Sequence, residues 1–406
     1  MIKTTMMKTY NFAARAGRNL GTFNTSYMEA EAHEIFSHYA PVNAVDSHAY
    51  PELDFIKLQC ASFLLNLLHG QCNDDYHYFT TSGSSESVFL ALLTLKRRHK
   101  QLNRPASKPN IIIGANSHIT WHKAAKYLDI DIRIASFTSA FIIDTEQVMA
   151  LIDEHTIGVC CTLGAPTTLL CDNILAMNRS LVQHQQNTGQ FIPIHVDAAS
   201  GGFVVPFVSP ATQFDFSLPH VFSINISSHK YGLVYPSLGW LFMRHDACID
   251  ELLDENDYLG AAIKHFSMQF SHSAAHLMTQ YHYIQTLGRA GYQDILAKLF
   301  GYCRQLKDNL IRSQTAIEFI ASTDPALPGL VFSIPDQDMV LLSQKLKEKN
   351  WYLPVYSLAR PGSTQLVARI VVRYGYDDAF IDYLSTDIDS CINDTSQKNR
   401  PVTRGC

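Results

Sequence analysis

Tyr76-His-Tyr-Phe-Thr-Thr81, then residues 84–100, then Asn110-Ile-Ile-Ile-Gly114 decide the fold class. The first is a short aromatic and β-branched run. The second carries apolar residues at helical spacing, and the third is a β-branched run closed by glycine. The alternation continues toward the carboxyl end. A helix is expected over 118–128, a strand over 130–136, and a helix capped by Thr145 and ending near Glu154. A strand over 156–161, a helix over 174–186 and a strand over 191–196 follow. Repeated strand–helix–strand units predict an α/β domain with a mostly parallel central sheet.

Upstream, Leu53, Ile56, Cys60, Phe63, Leu64 and Leu67 recur at helical spacing, and Gly70 stands where that helix would stop. Downstream, runs 221–226 and 240–243 are separated by a polar segment with no room for a crossover helix, so they are expected to pair antiparallel. Long helices over 272–287 and 292–311 are interrupted by Gly288 and Gly291. Strands over 329–334 and 366–372 flank a helix over 339–349, which suits a smaller C-terminal α+β domain. The expected organisation is an N-terminal arm over 1–49, a large domain over 50–290 and a small domain over 291–406, with 396–406 frayed.

The chain has 406 residues, 47% hydrophobic and 17% charged, which supplies a sizeable core and excludes wholesale disorder. Its formal charge of −5 gives no basic excess for nucleic acid. No apolar run is long enough to span a membrane. The nine cysteines include no C-x-x-C pair and read as reduced thiols, which points to the cytoplasm.

Four segments carry candidate chemistry. Ser227-Ser-His-Lys-Tyr-Gly232 directly follows the apolar run 221–226. A lysine at the end of a buried strand is costly to keep as a cation; burial lowers its pKa and frees the amine for attack on a carbonyl. Taken alone, the segment reads as a surface turn with an ordinary lysine. In His195-Val-Asp-Ala-Ala-Ser-Gly-Gly-Phe203, Asp197 ends an apolar strand and small residues follow. Its carboxylate either fixes a proton on a heterocyclic nitrogen or caps the next segment. Thr80-Thr-Ser-Gly-Ser-Ser-Glu-Ser87 lies between strand and helix, where hydroxyls and free N–H groups can form an anion site; taken alone, the segment reads rather as a capping box, Ser84 with Ser87 or Ser82 with Glu86. His118 and His122, like His272 and His276, have helical ligand spacing. Neither pair has the glutamate of the zinc-protease motif, so no metal is expected; His118 instead suits stacking on an aromatic ligand. An anion site, an acid for a ring nitrogen and a reactive lysine are together the needs of pyridoxal 5′-phosphate, and that shared fit decides for the reactive reading of Lys230.

At these residues the sequence resembles the pyridoxal-phosphate glutamate decarboxylases, within the group II amino-acid decarboxylases. The segments from His195 and from Ser227 carry the likeness, with Asn19-Leu-Gly-Thr-Phe23, Gly83-Ser-Ser-Glu86, Trp121-His-Lys123, Thr156-Ile-Gly-Val159, Asp257-Tyr-Leu-Gly260 and Phe270-Ser271. The resemblance implies pyridoxal-phosphate fold type I, the aspartate-aminotransferase-like fold, and a homodimer with active sites at the subunit interface. It implies α-decarboxylation of an amino acid, with L-glutamate to 4-aminobutanoate first. Decarboxylation of another amino acid and a non-decarboxylating lyase are the alternatives, and a metal-binding, non-enzymatic protein is the reading from another class.

Carried over by residue, the resemblance implies that Lys230 binds the cofactor aldehyde and Asp197 the pyridine nitrogen. Ser84, Ser85 and His229 match phosphate contacts, Ser227 a further pocket residue, and Ser271 a phosphate contact from the neighbouring subunit. Ala199 would lie under the ring and His118 over it. Thr22, Phe23, Asn43 and Asp46 match the substrate pocket, and Arg369 faces the α-carboxylate end. The sequence departs from the pattern at His118, where bacterial glutamate enzymes have Gln. Asn24 replaces a Cys, and Pro166 a Thr near the ring; the adjacent Thr167 is the expected substitute.

Overall fold

The computed structural model describes residues 12–102, 108–256, 263–312, 316–320, 327–335, 338–360 and 363–398. The 257–260 motif lies outside them. A seven-stranded sheet forms the centre, built from β1 (Tyr76–Thr81), β2 (Asn110–Gly114), β3 (Asp131–Ala135), β4 (Thr156–Thr162), β5 (Ile194–Asp197), β6 (Val221–Ser227) and β7 (Gly239–Arg244). Their order is β1-β7-β6-β5-β4-β2-β3. Only β7 runs against its neighbours, pairing antiparallel with both β1 and β6. The expected α/β class and the antiparallel pair are both present.

Strands β2, β4, β5 and β6 are buried along their whole length, which is why they read as continuous apolar runs rather than alternating ones. The helix Ser84–Gln101 covers one face, with Glu86 in its first turn and Arg98, His99 and Lys100 in its last, each sign matching the helix dipole. The helix Thr145–Leu151 is capped by Asp144, whose carboxylate accepts from Glu146 N and Gln147 N, rather than by Thr145.

The smaller sheet, in the order β10-β11-β13-β12, comprises β10 (Glu318–Phe319), β11 (Gly329–Ser333), β12 (Val355–Arg360) and β13 (Ser363–Val371). A short pair, β8 (Asp254–Asn256) with β9 (Ile263–His265), lies between the two sheets in sequence. The helical stretch Ala275–Arg312 is broken at Gly288, where φ 52° and ψ −160° suit a residue without Cβ. Gly291 stays helical. The terminal helix Asp378–Lys398 carries regular backbone through 396–398, where a frayed tail is expected from the sequence.

Residues 18–26 pack on the small sheet. Leu20 N donates to Tyr352 O, and Val371 N to Leu20 O. The buried Arg373 guanidinium donates to Ala16 O, Gly17 O, Asn19 O, Asn24 O and Ser26 Oγ. This fixes the path by which the arm reaches the carboxyl ends of the strands. Arm residues Leu20, Phe23 and Met28 share one apolar cluster with residues of both sheets.

Candidate active site

Thr81, Thr162, Asp197 and Ser227 end β1, β4, β5 and β6 at the same edge of the sheet, where ligands of open α/β sheets bind. A cavity of about 260 Å³ opens there. Asn24, Ser84, Ser85, His118, Thr162, Gly164, Pro166, Asp197, Ala199, Ser200, Ser227, His229 and Lys230 are among its lining residues.

Lys230 lies in the turn after β6. Its Nζ donates to Ser200 Oγ at 3.1 Å and lies 5.4 Å from the Phe23 ring centre. Burial lowers its pKa to about 8; Asp197 opposes that shift and Arg369 adds to it. Thr25 pins the turn, its N–H donating to His229 O and its hydroxyl to Lys230 O.

Asp197 is buried at the end of β5. Burial alone would push its carboxyl up, but the Trp121 indole, the Asn225 amide and the Lys230 charge hold it below the usual carboxylate range. Trp121 Nε1 donates to Oδ2 at 3.0 Å; Asn225 Nδ2 and Ala199 N donate to Oδ1 at 3.0 and 3.3 Å. An ionised carboxylate only accepts, so the Asn225 amide nitrogen faces Asp197 and its oxygen faces His195. His195 Nε2 therefore carries a hydrogen toward Asn225 Oδ1 at 2.7 Å, and Nδ1 accepts from Ser223 Oγ at 2.7 Å. Burial lowers the His195 pKa and keeps this ring neutral.

The anion side is built at the start of the helix Ser84–Gln101. Ser84 Oγ and Ser227 Oγ are 2.6 Å apart, and Ser85 Oγ meets Thr120 Oγ1 at 3.1 Å. Gly83 precedes the helix at φ 145° and ψ 177°, and an added Cβ would stand 2.8 Å from His229 Cε1. Glu86 accepts from Ser82 N at 2.6 Å, one half of the capping box that the sequence offered as the alternative. The cap contact leaves Ser84 and Ser85 lining the cavity. His229 Nδ1 donates to Leu238 O at 3.0 Å; burial and the Lys230 charge lower its pKa to about 4.

His118 is the cap of the helix Ile119–Tyr127, its Nδ1 accepting from Thr120. It therefore does not share a helical face with His122. Likewise, His272 lies before the helix that begins at Ala275.

Arg369 donates to Gly21 O at 2.5 Å, with its guanidinium carbon 4.9 Å from the Phe23 ring centre. Thr22 Oγ1 accepts from Asn24 N at 3.2 Å within the arm; of the two, only the Phe23 ring is placed beside Lys230. The chain's own cavity does not gather every expected residue. Thr167 is not among its lining residues; Tyr356 donates to the Thr167 carbonyl, and the Thr167 hydroxyl is buried without a partner. Asn43 accepts from His272 N, and Asp46 caps the turn to Ala49. Their neighbours Ala44, Val45 and Ser47 line a separate cavity with Gln269, His272 and Ser273. Ser271 is exposed in that same region.

Sequence reasoning assigned no role to Asn225, Trp121, His195, Ser200 or Thr162. One signal was available: Ser223, Asn225 and Ser227 alternate in an otherwise apolar strand, which puts three polar side chains on one face. Asp197 pairs in register with Asn225. The arrangement can hold a flat heteroaromatic aldehyde bearing a phosphate, with the amine, the carboxylate and the hydroxyls at its three functional points.

A profile of the pyridoxal-dependent decarboxylase conserved domain matches residues 22–335. Glutamate decarboxylase 5 of Arabidopsis thaliana is 33% identical over 381 residues, which covers 91% of this chain and 77% of the relative. Glutamate decarboxylase beta of Listeria monocytogenes is 33% identical over 88% of this chain and 80% of its own. The solved structure of Lactobacillus brevis glutamate decarboxylase superposes with a TM-score of 0.90 at 30% identity, over 98% of this chain and 92% of that one. A sphingosine-1-phosphate lyase from Burkholderia pseudomallei gives 0.81 at 19% identity, over 97% and 90%, a likeness of fold alone.

Proposed function

The chain belongs to the pyridoxal-dependent decarboxylase family, and on that premise we propose that it removes the α-carboxylate of L-glutamate as CO2 to give 4-aminobutanoate. It is a carboxy-lyase of pyridoxal-phosphate fold type I that uses pyridoxal 5′-phosphate and acts on an amino acid. Glutamate is the first choice because the relatives that match most of the chain are glutamate decarboxylases.

The observation that carries the mechanistic reading is one cavity holding a buried amine with a pKa near 8 and a buried, ionised Asp197. Lys230 would hold the cofactor aldehyde, Asp197 its ring nitrogen, and Ser84, Ser85, Ser227 and His229 its phosphate end. Ala199 would lie under the ring and His118 over it, with the Thr162 hydroxyl rather than Thr167 near its edge. When bound, pyridoxal phosphate supplies the electron sink that lets a Cα–carboxylate bond break.

The protein's part is orientation and proton handling. Asp197, fixed by three donors, stays charged and so favours a proton on the nitrogen it faces. Lys230 Nζ, with its pKa near neutrality and the Ser200 hydroxyl within 3.1 Å, can hold or release a proton beside the reacting carbon. Arg369 would orient the α-carboxylate end of the substrate, and Phe23 walls the amine from water. Thr22 and Asn43 would offer neutral donors to the side-chain carboxylate.

A homodimer is part of this reading, with Asn43, Asp46 and Ser271 completing the partner's cavity. Their position beside a separate cavity in their own chain supports that arrangement. No helix among the described residues is long and apolar enough to cross a membrane. A cytoplasmic location belongs to the same proposal; the eight described cysteines are free thiols, a state that a reducing compartment preserves. The test is kcat/KM of the holoenzyme for glutamate, aspartate, tyrosine and leucine, with the amine product identified. Glutamate should be the best of these, and a higher value for any other rejects the glutamate assignment.

A further inference from the structure

At the opposite edge of the sheet, four residues or about 13 Å before Thr81 along β1, two imidazoles and a carboxylate converge. His77 Nε2 lies 3.1 Å from His245 Nδ1 and 3.8 Å from Asp250 Oδ1, and His245 Nε2 lies 3.8 Å from Asp250 Oδ2. One ligand atom from each residue falls within 4.8 Å of the others. We propose that His77, His245 and Asp250 form a binding site for a borderline-soft divalent cation, Zn²⁺ in the first place, that clamps edge strand β1 to the segment after β7.

Ligand bonds of about 2.0–2.2 Å at tetrahedral angles put donor atoms roughly 3.3 Å apart. The two imidazole nitrogens are already within a few tenths of an ångström of that spacing. The half-exposed Asp250 carboxylate stands 3.8 Å from His77 Nε2 and within 4.8 Å of the His245 ligand atom, so it turns inward to complete the set. Two neutral nitrogens and one carboxylate favour Zn²⁺ over Mg²⁺ or Ca²⁺, which prefer all-oxygen sites.

The backbone of each residue is pinned independently. His77 is paired in the β1–β7 ladder, opposite Met243. His245 N donates to Asp75 O at 2.7 Å. Asp250 ends the short helix Ala247–Asp250, whose cap Asp246 accepts from Cys248 N and is held by Arg98 Nε at 2.9 Å. The His77 ring is further packed parallel to Phe79. The alternative is a plain imidazole–imidazole hydrogen bond with Asp250 as a bystander.

The test is equilibrium dialysis of chelator-treated holoenzyme against Zn²⁺, with Mg²⁺ in parallel, together with thermal unfolding. Wild type should take up one Zn²⁺ equivalent per chain that His245→Ala and Asp250→Asn weaken by about tenfold or more. The exposed-histidine control His38→Ala should leave that equivalent intact. Zn²⁺ should raise the wild-type Tm more than that of Asp250→Asn at the same concentration, while both proteins unfold alike in chelator. Uptake that survives both ligand substitutions, falls equally in His38→Ala, or is matched by Mg²⁺ overturns the site.

Discussion

Replacing Asp197 by Asn changes one atom and exposes how the carboxylate is held. Both oxygens are in use: Oδ2 accepts from Trp121 Nε1, and Oδ1 accepts from Asn225 Nδ2 and Ala199 N. An asparagine presents one oxygen and one NH₂ group, so its NH₂ must face a buried donor. Turning Asn225 relieves the clash only if the His195 ring also moves its hydrogen to Nδ1 to face the Ser223 hydroxyl, and it still leaves Ala199 N facing the new NH₂ group. One buried donor left unsatisfied costs about 1–3 kcal/mol, a loss that denaturant unfolding of the apoprotein should register. A second loss appears only with the cofactor, since the charge that keeps its ring nitrogen protonated is gone. A charge-assisted hydrogen bond contributes roughly 1.5–3 kcal/mol, so absorbance titration should find cofactor affinity about 10- to 150-fold weaker. Turnover should fall further still, because an unprotonated ring is a poor electron sink. Wild-type apoprotein stability together with wild-type cofactor affinity would refute this account of the network.

Three other perturbations probe different parts of the site. With a Lys230 pKa of about 8, capture of pyridoxal phosphate by apoprotein should speed up roughly tenfold between pH 7 and pH 9 and then level off; a rate still climbing at pH 10 would mean an ordinary lysine. Because the folded pKa lies below the unfolded value, the unfolded chain binds more protons between pH 8 and 10.5, and this group's contribution to apoprotein stability should rise with pH across that window. Gly83→Ala would push a methyl group to 2.8 Å from the His229 ring at a φ of 145°, and should weaken cofactor binding at least about tenfold in a protein that still folds; unchanged affinity would show that the Gly83 turn does not shape the phosphate side. If Ser271 serves the partner's site, inactive Lys230→Ala and Ser271→Arg proteins should regain activity when mixed under subunit exchange, approaching one working site per mixed dimer; proven heterodimers without activity would assign Ser271 to its own chain.

The parts of the fold most legible in the sequence are those with strong local signals. The strand Tyr76–Thr81 and the start of the helix at Ser84 fall where the pattern put them, because aromatic and β-branched residues give way there to a glycine turn and a helical repeat. The strand Val355–Arg360 gave no comparable signal: Pro354 precedes it, and its partner strand Ser363–Val371 holds it at the edge of the small sheet. The helix Ala30–Tyr39 lacks a side-chain cap and packs against the long helix, so tertiary contact rather than propensity supports it.

The site divides in the same way. Lys230 and Asp197 end consecutive apolar strands, a relation readable along the chain. Trp121 and Asn225 matter because of where register and packing bring them, 76 and 28 residues from Asp197. His77 and His245, 168 residues apart, meet only because β1 pairs with β7. Thr167 shows the limit of reasoning by adjacency, since the chain turns its hydroxyl out of the cavity that Pro166 lines.

The central claim is that the amine of Lys230 holds the cofactor in the cavity above Asp197. Borohydride reduction of the holoenzyme, followed by proteolysis and mass spectrometry, tests it most directly. The account predicts one pyridoxyl-phosphate adduct per chain, on the peptide containing Lys230, and no adduct in Lys230→Ala. An adduct on another lysine of the wild-type protein would contradict it.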